Sequence, residues 1–303
     1  MRGFVGFTKR NMMLYFKDLM AVIFSMLTSI IVFALYQLFL KGTFVDSISS
    51  SMEGLESFIA ASDIDTLVNG ILLTGIMGSA IITVPFNCLN TIVKDRENKI
   101  DYDISATPLK RWQIVLSYFT ASTFCSVIMV AIVLTVGLIS LTVMGDTYIS
   151  AESVAMLYGM DIVGSISSTA FFMIIMLMFK NTAVSSAFFG ILSAAAGFVI
   201  GAYIPTSNFS ATVQTVCNLF PASHVTVMFR QLLLRGVVDH INDGIGGVDN
   251  GAFAEAIRHT FSFEAYLFGG NVTSRTSLMY IGVFAFVCII IMTVLYSKTY
   301  KRK

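Results

Sequence analysis

The sequence predicts an all-α integral membrane protein with six transmembrane helices. Of its 303 residues, 56% are hydrophobic and 12% are charged, whereas a soluble domain carries about 25% charged residues. A soluble core could not cover that much apolar surface. The sequence also contains six apolar runs, each long enough for the roughly 20 residues with which a helix crosses a bilayer core. These runs are residues 20–40, 67–93, 113–144, 154–179, 182–204 and 277–296.

The distribution of lysine and arginine predicts that both termini lie in the cytoplasm. Fourteen of the 19 basic residues lie before the first run, between the second and third, between the fourth and fifth, or after the last. The other five are spread over longer loops, and cytoplasmic loops are the ones enriched in basic residues. Residues 1–19 alternate phenylalanine with basic residues. This pattern favours an amphipathic helix on the inner leaflet over a disordered basic flank.

The links between the runs differ in length and character. Residues 42–66 are expected to form an outer loop, in which the weak periodicity of the apolar residues makes a short helix possible. The links near residues 145–153 and 180–181 are tight turns. Because these two turns are short, the third, fourth and fifth spans are expected to be near neighbours.

The stretch from residue 205 to residue 276 is too polar overall for a simple span, yet its first half contains a strongly apolar segment. Pro221 interrupts that segment, and broken segments at membrane depth are tolerated only where protein or water covers the freed backbone. We therefore expect two short helices, at residues 212–219 and 223–234, that dip into the outer leaflet.

The turn between these two helices contains Phe220 and Pro221, and Arg230 follows in the second helix. A single kinked span is the alternative, but a seventh span would place the basic C-terminus outside. Residues 235–275 are then expected to form a polar outer lobe, with turns at the sequences GIGG and FGGN.

The sequence offers few residues for chemistry of its own. The dipeptide Gly-Lys, which ends a phosphate-binding loop, does not occur in it, so an ATP-driven function requires a separate ATPase chain. Asp161 is the one ionisable residue inside a predicted span. It is interpreted either as a solvated residue near a helix end or as the proton relay of an ion-coupled carrier.

Small residues occur at several positions in the second and fifth spans. Gly75 and Gly78 lie in the second span, and Gly190, Gly197 and Gly201 lie in the fifth. Small residues let helix backbones approach closely in lipid. They indicate tight packing, either within one chain or across a dimer, or the lining of a conduit.

The polar segment 94–112 lies between two apolar runs that carry no charge. Asp95, Arg96 and Glu97 are expected to extend the second span as a helix. Asp101 and Asp103 precede a second helix, for which Thr107 would be the N-cap, Pro108 would lie in the first turn and Arg111 would follow. The segment therefore predicts a helix–break–helix elbow, with a plain solvated loop as the alternative.

This elbow resembles a segment of ABC transporter permeases. Residues 94–99 read KDRENK and residues 105–111 read SATPLKR. In this order between two spans, they resemble the permease subunit of the second, exporter-like membrane family of ABC transporters. The sequence NLFP at residues 218–221, followed by Phe229 and Arg230, resembles the outer re-entrant helices of that family. The long lobe after Arg235 departs from the family pattern.

The resemblance implies that ATP binding and membrane transport are carried out by two different chains. A separate ABC ATP-binding subunit would hold ATP and Mg²⁺, and this chain would carry no cofactor, metal or catalytic residue. The residues that would dock on the ATPase are Asp95, Arg96, Glu97, Asp101, Asp103, Thr107, Pro108 and Arg111.

The resemblance further implies a homodimer in a bacterial plasma membrane, with a conduit between the two copies lined by the second and fifth spans. The apolar character of these spans favours export of a drug, a lipid-like molecule or a peptide, and nucleic acid is not an expected partner. An ion-coupled carrier that uses Asp161, or a membrane sensor or scaffold with the outer lobe as its receptor, remains the alternative.

Overall fold

The computed structural model describes residues 2–50, 59–145, 148–246 and 248–299, and most of these residues are helical. Within this part of the chain, six helices are long and apolar enough to cross a membrane. The prediction of an all-α membrane protein with six spans is therefore confirmed.

The first half of the chain contains seven helices. They are α1 (Arg2–Lys17), α2 (Leu19–Leu35), α3 (Lys41–Ser50), α4 (Ala61–Cys88), α5 (Asn90–Glu97), α6 (Ile100–Ala106) and α7 (Arg111–Met144). A π-helical turn (Tyr36–Leu40) joins α2 to α3 without a break.

The second half contains six more helices and one hairpin. They are α8 (Ala151–Met176), α9 (Thr182–Val199), α10 (Ala211–Asn218), α11 (Pro221–Ile245), α12 (Ala252–Thr260), the antiparallel strands β1 (Ala265–Leu267) and β2 (Gly270–Val272), and α13 (Ser274–Thr299). A short 3₁₀ turn (Thr206–Asn208) precedes α10.

Helix α4 is the centre of the bundle. Every residue from 67 to 86 is buried, because α2, α7, α8, α9 and α11 all pack around this helix. Its small residues permit that packing, since a Cβ atom at Gly70 would overlap with Leu234 and one at Gly78 with Thr226. Small residues of this kind allow close contact between helices without a hydrophobic driving force.

The first long helix does not end where the loop at 42–66 was predicted to begin. Residues 41–50 continue it as α3, so the first nine residues of the predicted loop form the short helix that their periodicity left possible. Phe44 and Ile48 explain the difference, because they are four residues apart and both are buried. The Phe44 ring lies between Tyr36 and Phe261, with ring centroids 5.2 and 5.5 Å away.

The helix after Pro221 is also longer than predicted. Instead of ending near residue 234, α11 runs to Ile245, since Val237, Val238, Ile241 and Ile245 continue its buried face. Gly246 ends the helix in the left-handed conformation, with φ 66°. The predicted outer lobe thus consists of the end of α11, helix α12 and the β-hairpin.

Candidate functional site

The elbow, residues 94–112, consists of the end of α5, helix α6 and a short linker to α7. Lys99 turns the chain between α5 and α6 in the left-handed conformation, with φ 60°. Asp101 and Asp103 lie in the first turn of α6, where negative charge interacts favourably with the helix dipole. Ile104 is buried and holds α6 against the bundle.

The break in the elbow follows α6, at residues 107–110, whereas the sequence predicted a break before a helix that begins at Thr107. Thr107 is not an N-cap, because it ends α6 and its hydroxyl donates to the Ile104 carbonyl at 2.6 Å. Pro108 explains the shift, since a residue before proline is driven into extended conformation, and Thr107 has φ −68° and ψ 160°. Lys110 is the N-cap of α7, which starts at Arg111.

Four consecutive side chains at the start of the elbow each bind a different part of the bundle. Lys94 is the first, with its ammonium 2.5 Å from the Asp18 carboxylate. Asp18 also accepts the Ala21 N–H at 3.0 Å, which caps α2. The Lys94 ammonium and this capping bond hold the pKa of Asp18 below its ordinary value.

Asp95 is the second, and its side chain lies inside the protein. The residue is 4% exposed, and Arg10 of α1 donates to both of its carboxylate oxygens, at 2.5 and 2.9 Å. The Tyr118 hydroxyl of α7 donates to it at 2.5 Å. Hydrogen bonding to Asp95 raises the pKa of the Arg10 guanidinium. Asp95 therefore joins α1, α5 and α7, and it is too deeply buried to touch another subunit.

Arg96 and Glu97 bind the two sides of the turn between α8 and α9. Arg96 donates to the carbonyls of Leu177, at 3.2 Å, and of Phe179. A cation is favourable there, because the last carbonyls of a helix are partly negative. Glu97 accepts the Thr182 N–H at 3.1 Å, which satisfies a free donor at the start of α9.

Arg111 links the far side of the elbow to the last helix. Its guanidinium donates to the Ser297 carbonyl of α13 at 2.9 Å. Together with Lys94, Asp95, Arg96 and Glu97, it connects the elbow to all six candidate membrane spans of the described chain, counting α4, which leads into α5. Sequence reasoning identified most of these residues but not their partners, which lie far away along the chain.

One face of α6 is left open to solvent. Tyr102 is 67% exposed, and Asp103 and Ala106 are also exposed. Their spacing of three and four residues places them on one side of the helix. Sequence reasoning missed Tyr102, although an aromatic residue in a short polar helix is a signal for an interface.

Most of the chain, residues 46–294, matches the family model described as ABC-2 family transporter protein. The chain belongs to the ABC-2 transporter family. No curated protein and no solved structure matches it. The chain is thus the permease subunit of an ABC transporter, a membrane component without its own ATPase, and its family implies an ATP-binding partner subunit.

The residues singled out after α9 in this ABC-2 permease have structural roles inside the bundle. Pro221 is the first residue of α11, where its missing N–H costs nothing. The Phe220 ring packs on Phe171 and Phe172, with centroids 5.1 and 5.8 Å away.

Arg230 is buried and serves as an internal clamp. It donates to the carbonyls of Ile200 and Gly201 after α9, at 2.9 and 2.8 Å, and to the Phe261 carbonyl after α12, at 2.9 Å. Burial lowers the pKa of Arg230 to about 10. Gly201 itself has φ 68°, which favours glycine.

The glycines of this permease differ in what they face. A Cβ atom at Gly75 would lie 3.0 Å from Ala202, and the Tyr203 ring covers Gly197. Gly201 lies beyond the end of α9, so Gly197 and Gly201 do not form a helical contact face for a second copy. Gly190 has no neighbouring atom of the described residues within 4 Å of the position that a Cβ atom would take. Of these glycines, only Gly190 faces an open helix surface.

The buried position of α4 also changes the expectation for a conduit. Gly75 and Gly78 lie inside one chain, so the second span cannot line a passage between two copies in this conformation. Helix α9, in contrast, is mostly open on its outer face.

Asp161 is not the solvated residue near a helix end that the sequence suggested. It is 1% exposed, because α8 starts ten residues earlier and is covered by α4, α7, α11 and α13. One of its oxygens accepts the Ser165 hydroxyl at 3.0 Å, and Ser126 donates to Ser165 at 3.3 Å. Asp161 therefore belongs to a buried polar cluster.

Proposed function

We propose that this ABC-2 permease is the membrane subunit of an ATP-driven exporter and that its elbow transmits the movements of the ATPase to the spans. One observation carries the proposal. Four side chains of the elbow bind at the ends of spans, and a fifth, Asp95, binds Arg10 of α1 and Tyr118 of α7. A force applied to such an element acts on all the spans together.

The exposed face of α6 is the contact surface in this proposal. Tyr102 supplies a large amphipathic side chain, and Asp103 supplies a negative charge beside it. Interfaces draw most of their affinity from a few central aromatic or charged residues. The ATP-binding subunit would therefore present a pocket for an aromatic ring with a basic residue near its edge.

The predicted docking residues divide into two groups in this mechanism. Glu97, Asp103 and Pro108 are exposed and Asp101 and Thr107 are half-buried, so they can contact the ATPase. Asp95, Arg96 and Arg111 hold the elbow against the bundle and act as positioning residues. An ion pair such as Asp95–Arg10 suits this role, because its geometry is fixed by several directional bonds.

The other parts of the proposal concern the complete transporter. ATP and Mg²⁺ are bound by the partner subunit, and two copies of the permease pair through the open face of α9 that contains Gly190. The elbow lies on the cytoplasmic side of a bacterial plasma membrane, with both termini, as the basic residues favour. The cargo is a hydrophobic or amphipathic molecule that leaves through a conduit lined by α9.

The direct test is a pull-down of the permease with its ATP-binding subunit from nanodiscs. Asp103→Lys is expected to reduce the recovered ATPase at least tenfold, because it places a positive charge against a basic partner surface. Asp243→Lys reverses an exposed charge at the opposite end of the bundle and is expected to leave recovery unchanged. Equal recovery with wild type and Asp103→Lys would contradict docking through α6.

A second candidate function has one observation in its favour. The buried Asp161 is an ionisable residue in a span, and such residues often serve ion-coupled transport. In that case an ion gradient would drive transport of the substrate by the permease, and no ATPase would be required. A sensor or scaffold, the third possibility, would show no ATP-dependent flux.

A further inference from the structure

Helices α2 and α7 enclose a groove in the half of the bundle opposite the elbow. Both helices pack along α4 but make little contact with each other. Between them lies a cavity of about 390 Å³, floored by Asn69, Leu72, Leu73 and Ile76 of α4. Phe33 and Val136 form parts of its two walls. This volume lies in the range of small-molecule sites, about 300–1,000 Å³.

Two polar side chains in this groove lack a hydrogen-bond partner within the described part of the chain. Asn69 is 7% exposed and Ser29 is 4% exposed. The Asn69 carbonyl oxygen and the Ser29 hydroxyl are both buried without a partner among the described residues, whereas buried polar groups are normally hydrogen-bonded. Both residues line the same cavity.

The burial of Asn69 and Ser29 among apolar side chains makes this arrangement costly. A buried amide or hydroxyl without a hydrogen bond loses the bonds that it makes with water. The hydrocarbon tails of lipids cannot donate a hydrogen bond to replace them. Asn69 lines the groove, so a polar guest that bonds with its side chain would remove this cost.

We propose that this groove binds an uncharged amphiphile, a hydrocarbon body that carries a hydroxyl group. The hydroxyl would donate to the Asn69 carbonyl oxygen and could accept from Ser29, and the hydrocarbon body would lie against Leu72, Leu73 and Ile76. Among the described residues, none that lines the groove is charged, so a charged guest would find no counter-ion among them. That the bound amphiphile is also the exported cargo rests on the proposed exporter function.

The walls allow such a guest to enter from the bilayer. Ile30, Phe33 and Val136 line the groove and are exposed on its lipid-facing side. Gly137 brings α7 close to the floor, because a Cβ atom there would overlap with Leu73. The groove is therefore open sideways and closed below.

Photolabelling of the purified permease in nanodiscs, without an ATPase, tests the proposal. The probe is a long-chain primary alcohol that carries a diazirine, and the control probe is the matching diazirine alkane. Mass spectrometry is expected to find saturable labelling of α2, α4 and α7 at the groove with the alcohol only. Asn69→Leu and Ser29→Ala are each expected to reduce this labelling roughly fivefold, the effect of one lost hydrogen bond.

Asn87→Leu is the matched control, since Asn87 is another amide of α4 with a buried, unpartnered atom but lies outside the groove. It should label like wild type. Ser29→Ala removes no hydrogen bond that the side chain makes within the described chain, so it remains informative even if Asn69→Leu fails to fold. Equal labelling by the two probes, or unchanged labelling in Ser29→Ala and in any folded Asn69→Leu, would overturn the proposal and leave bulk lipid as the occupant.

The outcome is independent of the exporter test, because no ATPase is present in the labelling. Loss of docking with intact labelling would contradict the exporter but not the groove. Intact docking without selective labelling would contradict only the groove.

Discussion

At the scale of single residues, the elbow depends on side chains that bind inward rather than outward. Asp95 accepts hydrogen bonds from Arg10 and Tyr118 on two other helices. Charge and position in the sequence predicted a functional residue there. They could not reveal its partners, because Arg10 lies 85 positions away in the chain and only packing brings the two together.

Asp95→Asn is expected to destabilise the permease by about 2 kcal/mol. Breaking a buried ion pair costs about 3–5 kcal/mol, and the value is lower here because a third of the Arg10 side chain is exposed and screened by solvent. Denaturant unfolding in detergent measures the change. Asp103→Asn, at an exposed position, should stay within about 0.5 kcal/mol of wild type. Equal stability of wild type, Asp95→Asn and Asp103→Asn would contradict the inference that Asp95 holds α1, α5 and α7 together.

Lys94→Met is expected to raise the pKa of Asp18 toward the usual value of about 3.9. Lys94 is the main cause of the low pKa in the folded protein. The contact therefore stabilises the fold above about pH 4, and its contribution is lost as the pH falls through the lowered pKa of Asp18. Carbon-13 NMR titration of the Asp18 carboxyl measures both values. An unchanged pKa in the variant would show that the capping bond alone is responsible.

At the scale of elements, the sequence predicted the positions of the spans better than their ends. Apolar runs locate helices in a membrane because hydrocarbon admits little else, and each of the six runs contains a long helix, although the fifth run extends past the end of α9 at Val199. The position of a helix end depends on several contacts that favour different residues as the end, and Pro108 is an example. Proline can start a helix or stop the preceding one, and the burial of Ile104 on α6 decides for the second. No local sequence rule contains that contact.

Tyr102→Ala is expected to weaken the affinity of the permease for its ATP-binding subunit about 30-fold, the effect of losing an interface hot spot of about 2 kcal/mol. Surface plasmon resonance with nanodisc-embedded permease measures this affinity. Tyr102→Phe keeps the ring and should retain most of the binding. Wild-type affinity in Tyr102→Ala would exclude the exposed face of α6 from the contact.

At the scale of the whole molecule, several other helices pack around the buried helix α4, and the elbow makes contacts at the ends of several spans. The sequence could not predict that α4 is central, because its run is no more apolar than the others. The burial of Asp161 was missed for the same reason, since it results from four helices that close around α8. The groove beside α4 likewise exists only once α2 and α7 are placed.

Asp161→Asn separates the two transport mechanisms at this scale. Asparagine keeps the shape of the side chain and can still accept the bond from Ser165. The ATP-driven account therefore expects ATP-dependent flux in proteoliposomes within about twofold of wild type, since a single surviving hydrogen bond carries most of the local energy. Loss of flux, with normal folding and normal ATPase binding, would favour the ion-coupled carrier.

The central claim is that the exposed face of α6 docks on the ATP-binding subunit. The most direct measurement is photo-crosslinking of the assembled transporter with p-benzoylphenylalanine at position 102, and at position 268 as the control. Phe268 is 81% exposed and lies in the hairpin at the opposite end of the bundle. The account predicts a crosslink to the ATP-binding subunit from position 102 and none from position 268. A crosslink from position 268, or none from position 102 in an active transporter, would contradict it.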